Sequence, residues 1–174
     1  MDSERPRIKL IPTQTDKFLD RLAIAGLIFL WVYTLTSYFY LPAIIPNHRN
    51  SQGQISDYMS KETIIIVPCI LTTLAIGITI LNHYPHIFNY PQKLTKDSAE
   101  QQYSLATTMM RYLKLAVVIL AIAITVETAT DAQKERSGVG MWDIPLIIIL
   151  MGLPTAIYLI QSYKLKKHHK RQDE

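Results

Sequence analysis

The chain alternates between long blocks in which no charge interrupts the apolar residues and short connectors where charges and prolines collect. Elements of a soluble protein break their apolar runs at the helical or strand period, because one face of each meets water. Three blocks here do not. Leu22 to Leu41 holds twenty residues without a charge, Thr63 to Leu81 reads TIIIVPCILTTLAIGITIL, and Ile144 to Ile160 adds seventeen uncharged residues. At about 1.5 Å of rise per residue the first matches a hydrocarbon core of roughly 30 Å, and the last reaches across with modest help from tilt and flanking aromatics. The threonines of the second block can bond back to helix carbonyls, so they need no water.

A further block, Leu115 to Val126, is apolar for twelve residues, about 18 Å of helix. A crossing there must take in Lys114 at one end or Glu127 at the other. Upstream, Asp97 followed by Glu100 has capping-box character, and a helix from Asp97 to Thr130 would be about 51 Å long. That exceeds the bilayer, so its first turns extend beyond it. Tyr103, Ala106, Met110 and Leu113 recur at helical spacing and form an apolar stripe to pack or to lie against the membrane surface. The pattern predicts an all-α integral membrane protein of four transmembrane helices, over about residues 22–41, 63–81, 112–130 and 144–161.

The connectors fill in the organisation of what reads as a single polytopic domain, residues 1–174. Residues 1–21 are mixed in charge and predict a flexible or interfacial lead-in. Pro42, Pro46 and Gly53 make residues 42–62 an ordered, turn-rich excursion, while Pro85 and Pro91 break any helix at the start of residues 82–111. Residues 164–174 form a basic tail. Gly26, Gly77 and Gly152 are places where spans can approach closely, although no GxxxG pair is present.

Charge adds an orientation. Residues 1–21 carry five Lys and Arg, 43–62 two, 82–111 three, 131–143 two and 164–174 five. Cationic flanks stay in the cytoplasm, so both termini are expected on the cytoplasmic side of the membrane and the 42–62 loop on the other. The net charge of +4 follows from the anchoring flanks, and no helix-turn-helix, RNP or zinc-finger spacing suggests nucleic acid. The single cysteine, Cys69, excludes an intrachain disulfide framework. No GxSxG or phosphate loop points to an enzyme.

Chemistry concentrates in the loop LPAIIPNHRNSQGQISDYMSK. Leu41, Pro42, Ile45, Pro46, His48, Asn50, Gly53, Ser60 and Lys61, with the spans on either side over residues 38–82, resemble the signature of a bacterial membrane family, domain of unknown function 1648. That module is also similar to the first part of Sdp-type toxin-immunity proteins. The resemblance implies a membrane protein of binding, sensing or immunity-like role, protecting against a secreted toxin and holding a cytoplasmic partner. The chain departs from the pattern at Arg49, where an aromatic is usual, and at Ser56, where an acid is usual and Asp57 follows instead.

Two readings of the loop stand side by side. His48, Asn50, Asp57 and Lys61 either satisfy loop backbone, with Pro42, Pro46 and Gly53 shaping the turn, or form a recognition surface for an extracellular peptide, envelope protein or lipid. Glu127 either reaches water at the outer boundary or is a buried ion or proton site, with Asp143, His48 or Lys61 in reach; the latter suits a small transporter or an accessory subunit of an enzyme or other complex. Lys114 is expected to snorkel to the headgroups. His83 and His86 fall on the opposite side from His48, so no metal site and no cofactor is expected. Beyond the bilayer, the partners consistent with this reading are an envelope peptide or protein, a cytoplasmic protein and a second copy of the chain.

Overall fold

A computed structural model describes residues 5–49, 55–91, 94, 96–134 and 143–172. Four helices dominate it: α1 (Gln14–Tyr40), α2 (Ile66–Leu81), α3 (Lys96–Lys134) and α4 (Asp143–Gln172). Between α1 and α2 lies an antiparallel hairpin of β1 (Ile44–Arg49) and β2 (Ile55–Ser60), followed by a 3₁₀ turn over Lys61–Ile65. Four helical stretches, Gln14–Tyr40, Lys61–Leu81, Ser98–Ala132 and Ile144–Leu165, are long and apolar enough to cross a membrane.

The first helix starts eight residues ahead of the apolar block that predicts it. Thr13 caps it: the Thr13 backbone N–H donates to the Asp16 carboxylate at 2.8 Å, and the Asp16 N–H donates to Thr13 Oγ1 at 3.1 Å. This reciprocal cap satisfies two donors that a helix end otherwise leaves open. The lead-in ahead of it meets the connector that follows α2. Arg5 donates to the carbonyls of His86 at 3.2 Å and Phe88 at 2.6 Å, where the break at Pro85 leaves main-chain acceptors without helical partners.

Helix α3 is the axis of the fold, because α1, α2 and α4 each pack on it while α1 and α2 touch only slightly. Its 39 residues run without a break from the connector into the membrane stretch, the continuity expected from Asp97 onward. Three layers of core lie along it. Ala23, Ala75 and Val118 join α1, α2 and α3 at mid-height. At one end Leu41, Ile45 and Ile64 pack on Ala129 and Ala132; at the other Tyr90, Ala99, Tyr103, Ala106 and Tyr158 gather. Alanine recurs in each layer, and small side chains let backbones approach where lipid supplies no hydrophobic drive for association. Gly26 makes such an approach to Val118, whereas Gly77 and Gly152 have nothing within 4 Å among the described residues. The outward faces carry Ile24, Ile28, Val32, Ile70 and Ile148 exposed, an apolar surface suited to lipid.

The excursion expected after α1 is a hairpin. Proline at 42 and 46 excludes helix, while Ile44, Ile45, Ile55 and Tyr58 favour a pleated surface. Ile45 pairs with Met59, Pro46 with Tyr58 and His48 with Asp57, and the register slips on either side of His48. Proline has no N–H for the ladder, so an irregularity beside Pro46 is the expected accommodation.

Candidate functional site

The hairpin sits firmly at its base and offers its far side outward. Ile45 is fully buried between the strand and the end of α3, and Leu41 and Ile64 close the contact from either side. Lys61 lies at the same level. Its ammonium is 4.5 Å from the centroid of the Tyr38 ring and donates to the Tyr38 carbonyl at 3.5 Å, while its backbone N–H donates to Ala43 O at 3.1 Å. Lys61 thus closes the junction of span, hairpin and span. Asp57 accepts from Asn47 Nδ2 at 2.9 Å and from the Tyr58 N–H at 2.9 Å, and both bonds are exposed. Pro42, Ile44 and Tyr58 are exposed beside them, and Pro46 is half-buried.

Of the loop residues singled out from sequence, His48 and Asp57 are therefore opposite one another in the ladder, and Lys61 is drawn off to Tyr38 at the base. Asn50 and Gly53 lie outside the described residues. Glu127 is half-buried on α3 and is engaged in an interaction, so it is not a bare carboxylate facing lipid. Asp143 is the first residue of α4.

The opposite end of the helices holds a polar cluster. Asp16 is buried and saturated, accepting from Thr13 and from Thr108 Oγ1 at 2.8 Å, with the Arg111 guanidinium at 3.5 Å. One helical turn on, Asp20 accepts from Arg111 Nε at 3.1 Å and from Lys114 Nζ. Lys114 is buried, so it does not snorkel: a carboxylate within reach on α1 replaces the water it would otherwise seek. Two acids at helical spacing on α1 meet two bases at helical spacing on α3. Beside them, Asn82 at the end of α2 donates to Thr107 O at 3.1 Å, which ties all three helices together.

Between this cluster and α4, Tyr90 donates to Pro85 O at 2.8 Å and its ring stands 5.5 Å from that of Tyr103. Burial, reinforced by the neighbouring Tyr158 and Tyr103, pushes the Tyr90 hydroxyl above the ordinary phenol range. Ser162 of α4 donates to Gln102 of α3 at 2.9 Å in a buried bond that ties the two helices together.

Sequence reading missed Asp16, Asp20 and Arg111 as a unit. The signal was present in principle: an i, i+4 acid pair precedes one apolar block and an i, i+3 basic pair precedes another. Only their mutual approach, across more than ninety residues, makes them a cluster.

Residues 25–72, which run from α1 through the hairpin into α2, match the family described as Domain of unknown function (DUF1648). An uncharacterized protein of Archaeoglobus fulgidus is 32% identical over 87 residues, which cover 45% of this chain and 48% of that protein. The chain thus matches about half the length of this curated relative. No solved structure matches it.

Proposed function

We propose, for a chain that carries the DUF1648 domain in its first two membrane helices, a role as a multi-pass cell-membrane protein that binds or senses an envelope partner through its β1–β2 hairpin. The observation that carries this reading is the hairpin itself. The fully buried Ile45 fixes its base, while Ile44, Tyr58 and the Asn47–Asp57 pair remain exposed. A two-stranded sheet also has outer edges on which an extended peptide can add a strand. A toxin-like peptide fits this description, which keeps the immunity-like role among its forms. The excess of Lys and Arg in residues 1–21, 82–111 and 164–174 supports cytoplasmic termini and an extracytoplasmic hairpin.

A second reading, a small transporter or an accessory subunit of a complex, draws on Glu127, because a half-buried carboxylate on a membrane helix is a functional position by default. Under it, Glu127→Gln abolishes an ion-dependent activity. Under the hairpin reading, the same change leaves partner binding intact.

The test has two parts. In a Cys69→Ser background, Tyr58→Cys is expected to react with a membrane-impermeant maleimide on intact cells, and Lys164→Cys only after permeabilisation. The reverse labelling pattern overturns the orientation. A photo-crosslinking residue at Tyr58 is then expected to capture an envelope peptide or protein in native membranes, and His48→Ala, Asn50→Ala and Asp57→Ala together are expected to abolish the product. Capture that the triple variant leaves unchanged removes the hairpin from recognition.

A further inference from the structure

A cavity of about 330 Å³ opens beside the polar cluster, at the end of the molecule opposite the hairpin. Its walls come from four parts of the chain: the lead-in from Ile8 to Pro12, Asp16 and Asp20 on α1, Asn82 and His83 at the end of α2, and Arg111 and Lys114 on α3. The volume is at the small end of the range for ligand pockets, about 300–1,000 Å³, and suits a compact headgroup.

Two of its polar groups have bonding capacity that the fold leaves unused. Asn82 spends its amide N–H on Thr107 O, which fixes the orientation of the amide; its Oδ1 is buried and has no donor among the described residues. A buried amide oxygen without a donor costs about 1–3 kcal/mol. Lys114 has three ammonium donors, and among the described residues its bond is to Asp20 alone, although its side chain is only 8% exposed. The cavity therefore asks for a group that accepts from a cation and, on another atom, donates to an amide oxygen.

Charge sets the sign. The walls carry Lys9, Arg111 and Lys114 against Asp16 and Asp20. Asp16 is saturated by Thr13, Thr108 and Arg111, and Asp20 is neutralised by Arg111 and Lys114, so the exposed Lys9 is the uncompensated charge. The rim is apolar on the lead-in side, where Ile11 is 89% exposed. An isoleucine that bare, next to a cationic cavity at the end of membrane-length helices, suits the place where a lipid headgroup gives way to its chains.

We propose that this cavity binds the phosphate-bearing headgroup of an anionic membrane lipid. Lys114 and Lys9 donate to the phosphate oxygens, Asn82 Oδ1 accepts from a headgroup hydroxyl, and Ile8 and Ile11 meet the glycerol and upper acyl region. The site is independent of the hairpin and of what the hairpin binds.

The full-length chain, purified in detergent, is to be titrated with dioleoyl phosphatidylglycerol, with dioleoyl phosphatidylcholine and with glycerol 3-phosphate, reading the melting temperature. Phosphatidylglycerol is expected to raise it saturably and phosphatidylcholine is not. Lys9→Glu, at an exposed position outside the ion-pair cluster, and Asn82→Leu should each raise the half-saturating lipid concentration about tenfold, the scale of one charge-assisted or buried hydrogen bond. Equal shifts with the two lipids, or half-saturation unmoved in Lys9→Glu, overturn the proposal. A response to glycerol 3-phosphate with none to phosphatidylglycerol overturns the lipid assignment and gives the site to soluble phosphate esters.

Discussion

Gly26 of α1 stands so near Val118 of α3 that a Cβ on the glycine would lie 2.7 Å from Val118 Cγ1. Valine is stiff at χ1, and this one is buried in the mid-height layer with Ala23 and Ala75, so it has little room to give. Gly26→Ala therefore forces α1 and α3 apart, and a loss of about 1–3 kcal/mol is expected from overpacking. Gly77→Ala and Gly152→Ala, with open space around them, should be tolerated. Melting temperatures of the three variants in one detergent check the contrast; a Gly26 variant as stable as the Gly77 variant contradicts the close packing.

The Asp20–Lys114 bond makes a second prediction, because the ammonium is buried and the carboxylate is about one-third exposed. Asp20→Asn leaves a buried cation with a poorer acceptor and should cost about 1–3 kcal/mol, less than for a fully buried pair because water reaches the carboxylate side. Lys114→Met in the same chain should return much of that loss, since an apolar side chain of similar length suits the site. A double-mutant cycle on melting temperature reads the coupling, and strictly additive effects would mean that the bond is absent in solution.

These two contacts, each between residues far apart in the chain, mark the limit of what is legible in the sequence. Lipid imposes its demand on each helix singly, so the blocks at Leu22–Leu41, Thr63–Leu81 and Ile144–Ile160 reveal themselves by composition alone. The length of α3 is legible for the same local reason, from the stripe that runs on into the apolar block, although the helix begins at Lys96, one residue ahead of the Asp97 that the capping pattern marks. Asp20 and Lys114 are different. Each reads alone as a charge at a water boundary, and it takes residues 94 apart in the chain meeting on two helices to turn them into a buried pair. The hairpin is half legible: Pro42 and Pro46 exclude helix by themselves, but strand pairing depends on Ile45 finding Met59 and a floor of Ala129 and Ala132.

Helix α4 packs chiefly on α3, so its attachment should be sensitive to one buried polar bond. Ser162→Ala removes the donor to Gln102 and leaves that amide oxygen short of a partner, at an expected cost of about 1–2 kcal/mol. Because α1 and α2 reach α3 through other residues, the loss should be local. Limited proteolysis in the segment between α3 and α4 is expected to quicken while the melting temperature falls only slightly. Unchanged proteolysis there would place the hold on α4 elsewhere, in the cluster that Tyr158 forms with Tyr90 and Tyr103.

Ile45 anchors the hairpin in the layer formed by Leu41, Ile64, Ala129 and Ala132, where it is fully buried. Truncation to alanine removes three carbons from a site bounded by helix ends that cannot collapse inward, so Ile45→Ala should cost about 2–4 kcal/mol of local stability. Tyr58→Ala, on the exposed side of the same hairpin, should cost almost nothing. The spans themselves are insulated from both changes, because their insertion depends on their own apolar length. Hydrogen exchange of the strand amides is the appropriate readout: Ile45→Ala is expected to speed exchange across β1 and β2 while α1 and α2 stay protected. Equal exchange in the two variants would mean that the hairpin is held by its turn and ladder, with no help from its contact with α3.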